Sequence, residues 1–527
     1  MTAFELRRTS TVEKSLRSES VAKWILSCVD ADENRHHNVR MDEISPTRFD
    51  AIAGYARSPH AVLMCEELAY FELDAGRIVG MIVRDRTDDD YFGIIFAPDR
   101  NLRFRSVMIS GFHHDRQEAF QAFAKSMRAA ADAPAEDHHQ ADEVGDPVDF
   151  FTPVHPHERL HPDFVSLITE EANSPARDII EKMMRWYDDV DGNFVEQFQT
   201  TGFDQRIWEL YLFATFVELG YVFDRSQPMP DYVCSGLAGS FSTEAVTVAP
   251  TRDGGTIVPP PPHDTAEQQN AYLQQYMPIK FGSALFTKMK KRYWERPHVA
   301  THPFVLAIAD FSSPGSMVTT SSALERYLFG YEHTSAKDAD GKLRIVPTRL
   351  EQHAFGDKVI PSGFFRTKDS ENVSAVVSTT AGTISKFNRM GVLAGFGTGR
   401  VVLVREGTLP DSDPNATEPL RFRSLINAPS YNERWVDGLN VYHNPSAAMP
   451  LEPGLLRGAA HHFCDAEGQV TSELPTFHPF ASITHHHAPV DVSAVVEEWG
   501  DRSHLIWSDG QWIDSWDFAR ARATSDG

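Results

Sequence analysis

The feature that most constrains the fold is the apolar run that begins at His302 and continues without interruption from Pro303 to Ala309. A strand with no polar alternation has to be covered on both faces, as in a parallel sheet flanked by helices. The residues ahead of it read as the remaining parts of such a unit. Between Asp204 and Leu219, the residues Ile207, Leu210, Tyr211, Phe213, Ala214 and Val217 recur at helical spacing, and Gly220 is a natural terminator. A short strand, Tyr221–Asp224, a turn through Pro228–Pro230, a strand opening at Asp231–Cys234 and a reversal at Gly236–Gly239 follow. Ser240–Val248 is β-branched and alternating, and Pro278 opens a helix expected to run to about Trp294. The expected order is α-β-β-β-α-β.

At 527 residues the chain exceeds what one core serves, and a domain size of about 100–200 residues predicts two to four domains. Hydrophobic residues at 41% and charged residues at 24% are those of a folded globular protein, which excludes wholesale disorder or a fibrous repeat. Cys28, Cys65, Cys234 and Cys464 are far apart and form no CxxC pair, so reduced, buried thiols are expected rather than disulfides or a cysteine-rich zinc site. The N-terminus lacks a signal-like apolar stretch and no run approaches ~18 apolar residues, so the expected location is the cytoplasm, with no membrane partner. The net charge of −24 opposes nucleic acid as a uniform field, so any contact with DNA or RNA has to use a local basic patch.

Four regions are expected. Residues 1–131 read as an N-terminal α+β domain: strands at Leu68–Leu73, Arg77–Val83 and Tyr91–Ala97 form an antiparallel meander, followed by a helix capped by Asp115 with Glu118 three residues on. Residues 132–160 form an acidic linker, because Asp132–Asp149 has almost nothing apolar to bury. Residues 161–335 form a core, opened by a helix-like stretch Phe164–Tyr187, and residues 336–527 a β-rich C-terminal region. The stretch from Asp188 to Asn193 fits a calcium loop at Asp189, Asp191 and Gly192, but Tyr187 and Phe198 occupy positions that need oxygen ligands, so calcium is not expected. Thr256–His263, with four consecutive prolines, and Ser335–Leu343 read as breaks.

The core carries the chemistry. Glu209 lies within the first helix, Asp231 follows Pro230 before one strand, and Glu244 sits mid-strand among Ala245, Val246 and Val248. A carboxylate in that apolar setting is costly unless a cation or hydrogen bonds compensate it. The element order, Pro230-Asp231 before one strand and Glu244 inside the next resemble the PD-(D/E)XK, restriction-endonuclease-like superfamily. The resemblance implies a restriction-endonuclease-like αβββαβ core within a mixed α/β chain. It also implies a nuclease whose Mg²⁺, or Mn²⁺, is held by Asp231 and Glu244 with Glu209 in support. Carboxylates suit that ion because hard oxygen ligands hold it while it polarises a phosphate and lowers the pKa of an attacking water.

One position departs from the family pattern. Where the family carries lysine two residues after the acidic residue, this chain has Val246, which offers neither charge nor hydrogen bond. Some members of the superfamily place that lysine on the following helix, and here the helix carries Lys280, Lys288 and Lys291, which at ~100° per residue share about one quadrant. Lys288 is the first choice among these catalytic candidates. The stretch Lys288–Arg292 with Tyr293 and Trp294 is the most basic in the chain and is where phosphate contacts would lie, unless it is a solvated helix face with its aromatic end packed on the sheet.

In the C-terminal region Val373–Ser378, Gly391–Gly395 and Arg400–Arg405 read as strands, with a short helix at Thr383–Met390. Gly395–Gly399 reads as a hairpin turn between two strands rather than a phosphate loop. The pair His461-His462 and the triplet His485–His487 read as surface loops, since adjacent histidines on an extended chain point to opposite sides. Ser374–Gly391 and Asn440–Pro445 resemble bacterial proteins in which such an N-terminal region, core and tail occur together, a resemblance that carries no activity. No GxSxG elbow, Walker A loop or HExxH helix is present. The expected function is a Mg²⁺-dependent phosphodiester hydrolase acting on DNA rather than RNA, in bacterial defence or genome maintenance. The alternative is a nuclease-fold module without activity that binds nucleic acid or a protein partner; self-association into a homo-oligomer is left open.

Overall fold

The computed structural model describes residues 40–187, 189, 192–254 and 256–519. Cys28, the N-terminal segment, and Asp188, Val190 and Asp191 of the acidic stretch lie outside the described residues. The fold is mixed α/β. Cys65, Cys234 and Cys464 are free thiols, the last two buried. No helix among the described residues is long and apolar enough to cross a membrane. The chain divides into two compact units, one made of residues up to Phe49 with Ala61–Gly145, the other of Asp50–His60 with Asp146 onward.

The first unit is a five-stranded antiparallel meander in chain order: β1 (Met41–Ile44), β2 (Cys65–Leu73), β3 (Ile78–Asp85), β4 (Tyr91–Pro98) and β5 (Phe104–Ile109). Helix α1 (Arg116–Asp132) lays Phe120, Phe123 and Met127 on the sheet, in one core with Phe71, Ile82 and Ile95. The Asp115 carboxylate caps it, accepting from the N–H groups of Gln117 and Glu118 at 2.8 and 2.9 Å, because the first helical amides have no carbonyl partner. The stretch expected to be an acidic linker is divided between the units: up to Gly145 it folds back within this one, and from Asp146 it belongs to the other, where Phe150 is buried. A short turn, Ala135–His138, buries His138 against the Ala130 carbonyl at 3.1 Å, and Asp142 pairs with Arg105.

The second unit is built on an eight-stranded sheet. Its first half comprises α4 (Phe203–Glu218, preceded by α2, Pro162–Thr169, and α3, Ser174–Met184), β6 (Tyr221–Phe223), β7 (Tyr232–Gly236), β8 (Gly239–Val248), α5 (Met277–Met289) and β9 (Phe304–Asp310). The stretch expected as one helix from Phe164 to Tyr187 is therefore two, α2 and α3, with Ser174-Pro175 opening the second. Strands β6, β7 and β8 pair antiparallel, β8 and β9 parallel with Glu244 opposite Leu306, and every residue of β9 is buried. The sheet continues through β10 (Ala375–Thr379), α6 (Ile384–Leu393), β11 (Leu439–His443), β12 (Ala460–Cys464) and β13 (Val470–Glu473), in the spatial order β13-β12-β11-β10-β9-β8-β7-β6. It draws strands from both sides of residue 336.

Its two faces have separate cores. Trp208, Leu212 and Phe216 of α4 pack with Phe241, Ala245, Val305 and Ala307. Phe281, Leu285 and Met289 of α5 pack with Val246, Val248, Leu306 and Ile308. A second, five-stranded antiparallel sheet takes Ala481–His487, Val402–Leu409, Leu420–Leu425, His504–Ser508 and Gln511–Asp514 in that spatial order. Arg389 of α6 reaches it through a 2.8 Å hydrogen bond to Thr484 Oγ1, while also chelating the buried Glu433 carboxylate at 2.8 and 3.0 Å.

Several local expectations are corrected. Ser335–Leu343 is the tip of a hairpin, Tyr331–Lys337 with Leu343–Arg349, whose alternating polar residues hid its strands. Gly391 lies in α6, so the expected strand Gly391–Gly395 is a helix end, and Gly395–Gly399 joins a helix to a strand. His461 and His462 are buried on β12, and His485–His487 form the end of an edge strand.

Candidate functional site

Side chains alternate across a strand, so Glu244, between Ala245 and Thr243 and in step with Val246 and Val248, points to the face covered by α5. Only 3% of Glu244 is exposed. Helix α5 supplies its counter-ion: Lys288 Nζ lies 2.6 Å from Glu244 Oε1. Tyr293 Oη donates to the same oxygen at 3.0 Å, and the Asp231 N–H donates to Oε2 at 3.3 Å. Val246 packs under α5 among Phe281, Leu285 and Met289, and Lys288 of the same helix reaches the Glu244 carboxylate.

Asp231 stands at the entry to β7, with Oδ2 accepting the Ala245 N–H at 2.7 Å. Burial, and then the charges of Glu244 and Glu209, push its carboxyl well above the usual range; Lys288 and the Ala245 amide oppose the shift. For Lys288, burial favours the neutral amine, but Glu244 and Asp231 outweigh it and hold the ammonium above its ordinary value. Tyr293 is likewise raised, by burial and by Glu244. A half-buried ammonium therefore pairs with Glu244 and also acts through its charge on Asp231.

Glu209 belongs to the layer on the other face of the sheet. Its carboxylate accepts from Arg206, from Gln205 Nε2 at 2.9 Å and from Tyr187 Oη at 3.2 Å. Its charge is felt at Asp231, but the three carboxylates do not close on one point. Among the described residues, the group whose ligand atoms lie within 4.8 Å of one another is His161, Asp163 and Asp204 instead.

The other two lysines are elsewhere. Lys280 Nζ donates to the Ala249 carbonyl at 2.8 Å and to Thr251 Oγ1 at 3.0 Å, beyond the end of β8. Lys291 is exposed past the end of α5, because the helix stops at Met289 and Arg292 turns left-handed at φ 48°. Tyr293, Tyr187, Arg206 and Gln205 were not singled out as site residues from sequence. Only Tyr293 had a signal, as part of the basic and aromatic stretch after Lys288.

Carboxylates are the donor type that a Mg²⁺-type ion takes, one or two at a time with several waters, and here both Glu244 oxygens and Asp231 Oδ2 already accept hydrogen bonds from the protein. Asp231 and Glu244 supply two carboxylates whose mutual repulsion a cation would relieve. No protein-family model, curated protein or solved structure matches this chain.

Proposed function

We propose that the second unit is a divalent-metal-dependent phosphodiester hydrolase of the PD-(D/E)XK type, acting on DNA in preference to RNA. The observation that supports it is the 2.6 Å contact between Lys288 and Glu244 beside Asp231, which provides the cation that Val246 cannot. Asp231 and Glu244 would hold Mg²⁺ or Mn²⁺, which when bound supplies charge stabilisation and a more acidic water. Lys288 would orient that water or stabilise charge on the scissile phosphate, as preorganised donors in a water-poor site do. Tyr293 and the Asp231 amide fix Glu244 so that its oxygens keep one orientation. Glu209 would act at a distance, through its charge on Asp231.

The test is cleavage of plasmid DNA, single-stranded DNA and RNA with and without Mg²⁺ or Mn²⁺, using wild type, Asp231→Ala and Lys288→Ala. Metal-dependent cutting lost with Asp231→Ala and slowed roughly 100-fold or more with Lys288→Ala is expected. One observation favours the second reading, a binding module without activity: both oxygens of Glu244 already have donors, as in a structural ion-pair network. Binding of an oligonucleotide with no cutting under any metal would establish that reading.

A further inference from the structure

The starts of α2 and α4 bring together three groups that the proposed hydrolytic site does not use. One nitrogen of His161 and one carboxylate oxygen each of Asp163 and Asp204 lie within 4.8 Å of one another. His161 Nδ1 is 4.0 Å from Asp163 Oδ2, and His161 Nε2 is 4.0 Å from Asp204 Oδ1. Ligand atoms around a four-coordinate ion with ~2.0–2.1 Å bonds are about 3.3–3.5 Å apart, so side-chain shifts of up to about 1.5 Å would close the set, with the 3.3 Å hydrogen bond from the Asp163 N–H to His161 Nδ1 given up on binding.

Two features make this more than a chance meeting of surface acids. The imidazole is fixed: it stacks on Phe203, with ring centroids 5.0 Å apart and planes 13° from parallel. Its backbone N–H donates to Gln199 at 2.9 Å, and Gln199 is itself fully buried. Asp204 has a side chain three-quarters buried, yet no described residue donates a hydrogen bond to its carboxylate, and one of its neighbours is the like-charged Asp163. A carboxylate removed from water without donors is destabilising by itself, and a bound cation reverses the sign of that contribution.

We propose that His161, Asp163 and Asp204 bind a borderline divalent ion of the Zn²⁺ class, with water completing the shell, and that this ion ties the start of α2 to the start of α4. The imidazole sets the preference, since nitrogen suits Zn²⁺ and its transition-metal neighbours while Mg²⁺ and Ca²⁺ favour sites built of oxygen alone. The site is distinct from the Asp231 and Glu244 pair, and α4, which it would anchor, is the helix that carries Glu209.

The experiment uses the full chain, stripped with EDTA and titrated with Zn²⁺ by calorimetry, with Mg²⁺ and Ca²⁺ in parallel. His161→Ala, Asp204→Asn and Glu244→Ala are compared with wild type, and circular dichroism checks that each folds. A Zn²⁺ site counted apart from any ion taken at Asp231 and Glu244, a rise in Tm of several degrees with Zn²⁺, and affinity at that site at least about tenfold weaker in His161→Ala and Asp204→Asn but retained in Glu244→Ala are expected. Asp204→Asn keeps the side-chain shape and removes the buried charge, so without metal it should melt no lower than wild type. Absence of Zn²⁺ binding, binding retained in both His161→Ala and Asp204→Asn, or binding lost in Glu244→Ala alone would overturn the proposal. None of these outcomes depends on whether the chain cuts nucleic acid.

Discussion

At the scale of single residues, the account turns on how a carboxylate is kept in the middle of a buried strand. Glu244 has three donors, from Lys288, Tyr293 and the Asp231 backbone. Lys288→Met removes the charged one and should cost about 1–3 kcal/mol, read as a lower urea midpoint. Adding Glu244→Gln should restore most of that loss, since the pair is then removed together; a double-mutant cycle with coupling below ~0.5 kcal/mol would contradict the ion pair. Asp231 makes a second prediction. Burial, with Glu244 and Glu209, raises its folded pKa above the unfolded value, so its contribution to stability is present at pH below ~4 and declines as pH rises toward the raised value. In EDTA, Asp231→Asn should therefore be more stable than wild type at neutral pH and lose that advantage in acid; parallel stability curves between pH 4 and 8 would contradict this. Glu244 could be picked out from sequence because charge in an apolar strand is conspicuous, whereas Asp231 and Glu209 were named only through the family resemblance. The choice among Lys280, Lys288 and Lys291 was less legible, because it depends on where α5 ends and how it lies over β8.

At the scale of elements, pattern and caps carried the reading far. The period-two alternation of Ser240–Val248 and the helical spacing of Asp204–Leu219 correspond to β8 and α4, and the Asp115 cap to the start of α1. Misreadings arose where tertiary contact overrides local signal. Gly391 suggested the start of a strand, but it lies in α6 at its close crossing with α3, where a Cβ would sit 2.3 Å from the Pro175 carbonyl oxygen. Gly391→Ala should therefore destabilise the second unit by about 2 kcal/mol or more, despite the better helix propensity of alanine. A thermal melt at or above that of wild type would show that the two helices can separate without cost.

At the scale of the molecule, the sheet is larger than its local motifs. The α-β-β-β-α-β order read from Asp204 to Ala309 corresponds to one half, β6 to β9 with α4 and α5, while the other half comes from residues after 336. Those pairings, such as β10 with β11 and β11 with β12, join segments separated by long connections, and nothing in either segment names its partner. One consequence follows for fragments. Residues 161–335 alone would expose β9, buried at every position, as an unpaired apolar edge, a recognised route to aggregation. That fragment should be insoluble or lack a cooperative melt; a monomeric, cooperatively folded fragment would mean the remaining strands are dispensable.

The central claim, that Glu244 and its partners form a hydrolytic centre, is tested most directly by the Mg²⁺-dependent cleavage rate of wild type against Glu244→Ala under identical conditions, with folding of both verified. Cutting by wild type that needs the metal and vanishes in the variant is the predicted result. Cutting that persists in Glu244→Ala, or a wild type inert with every substrate and metal, would contradict it.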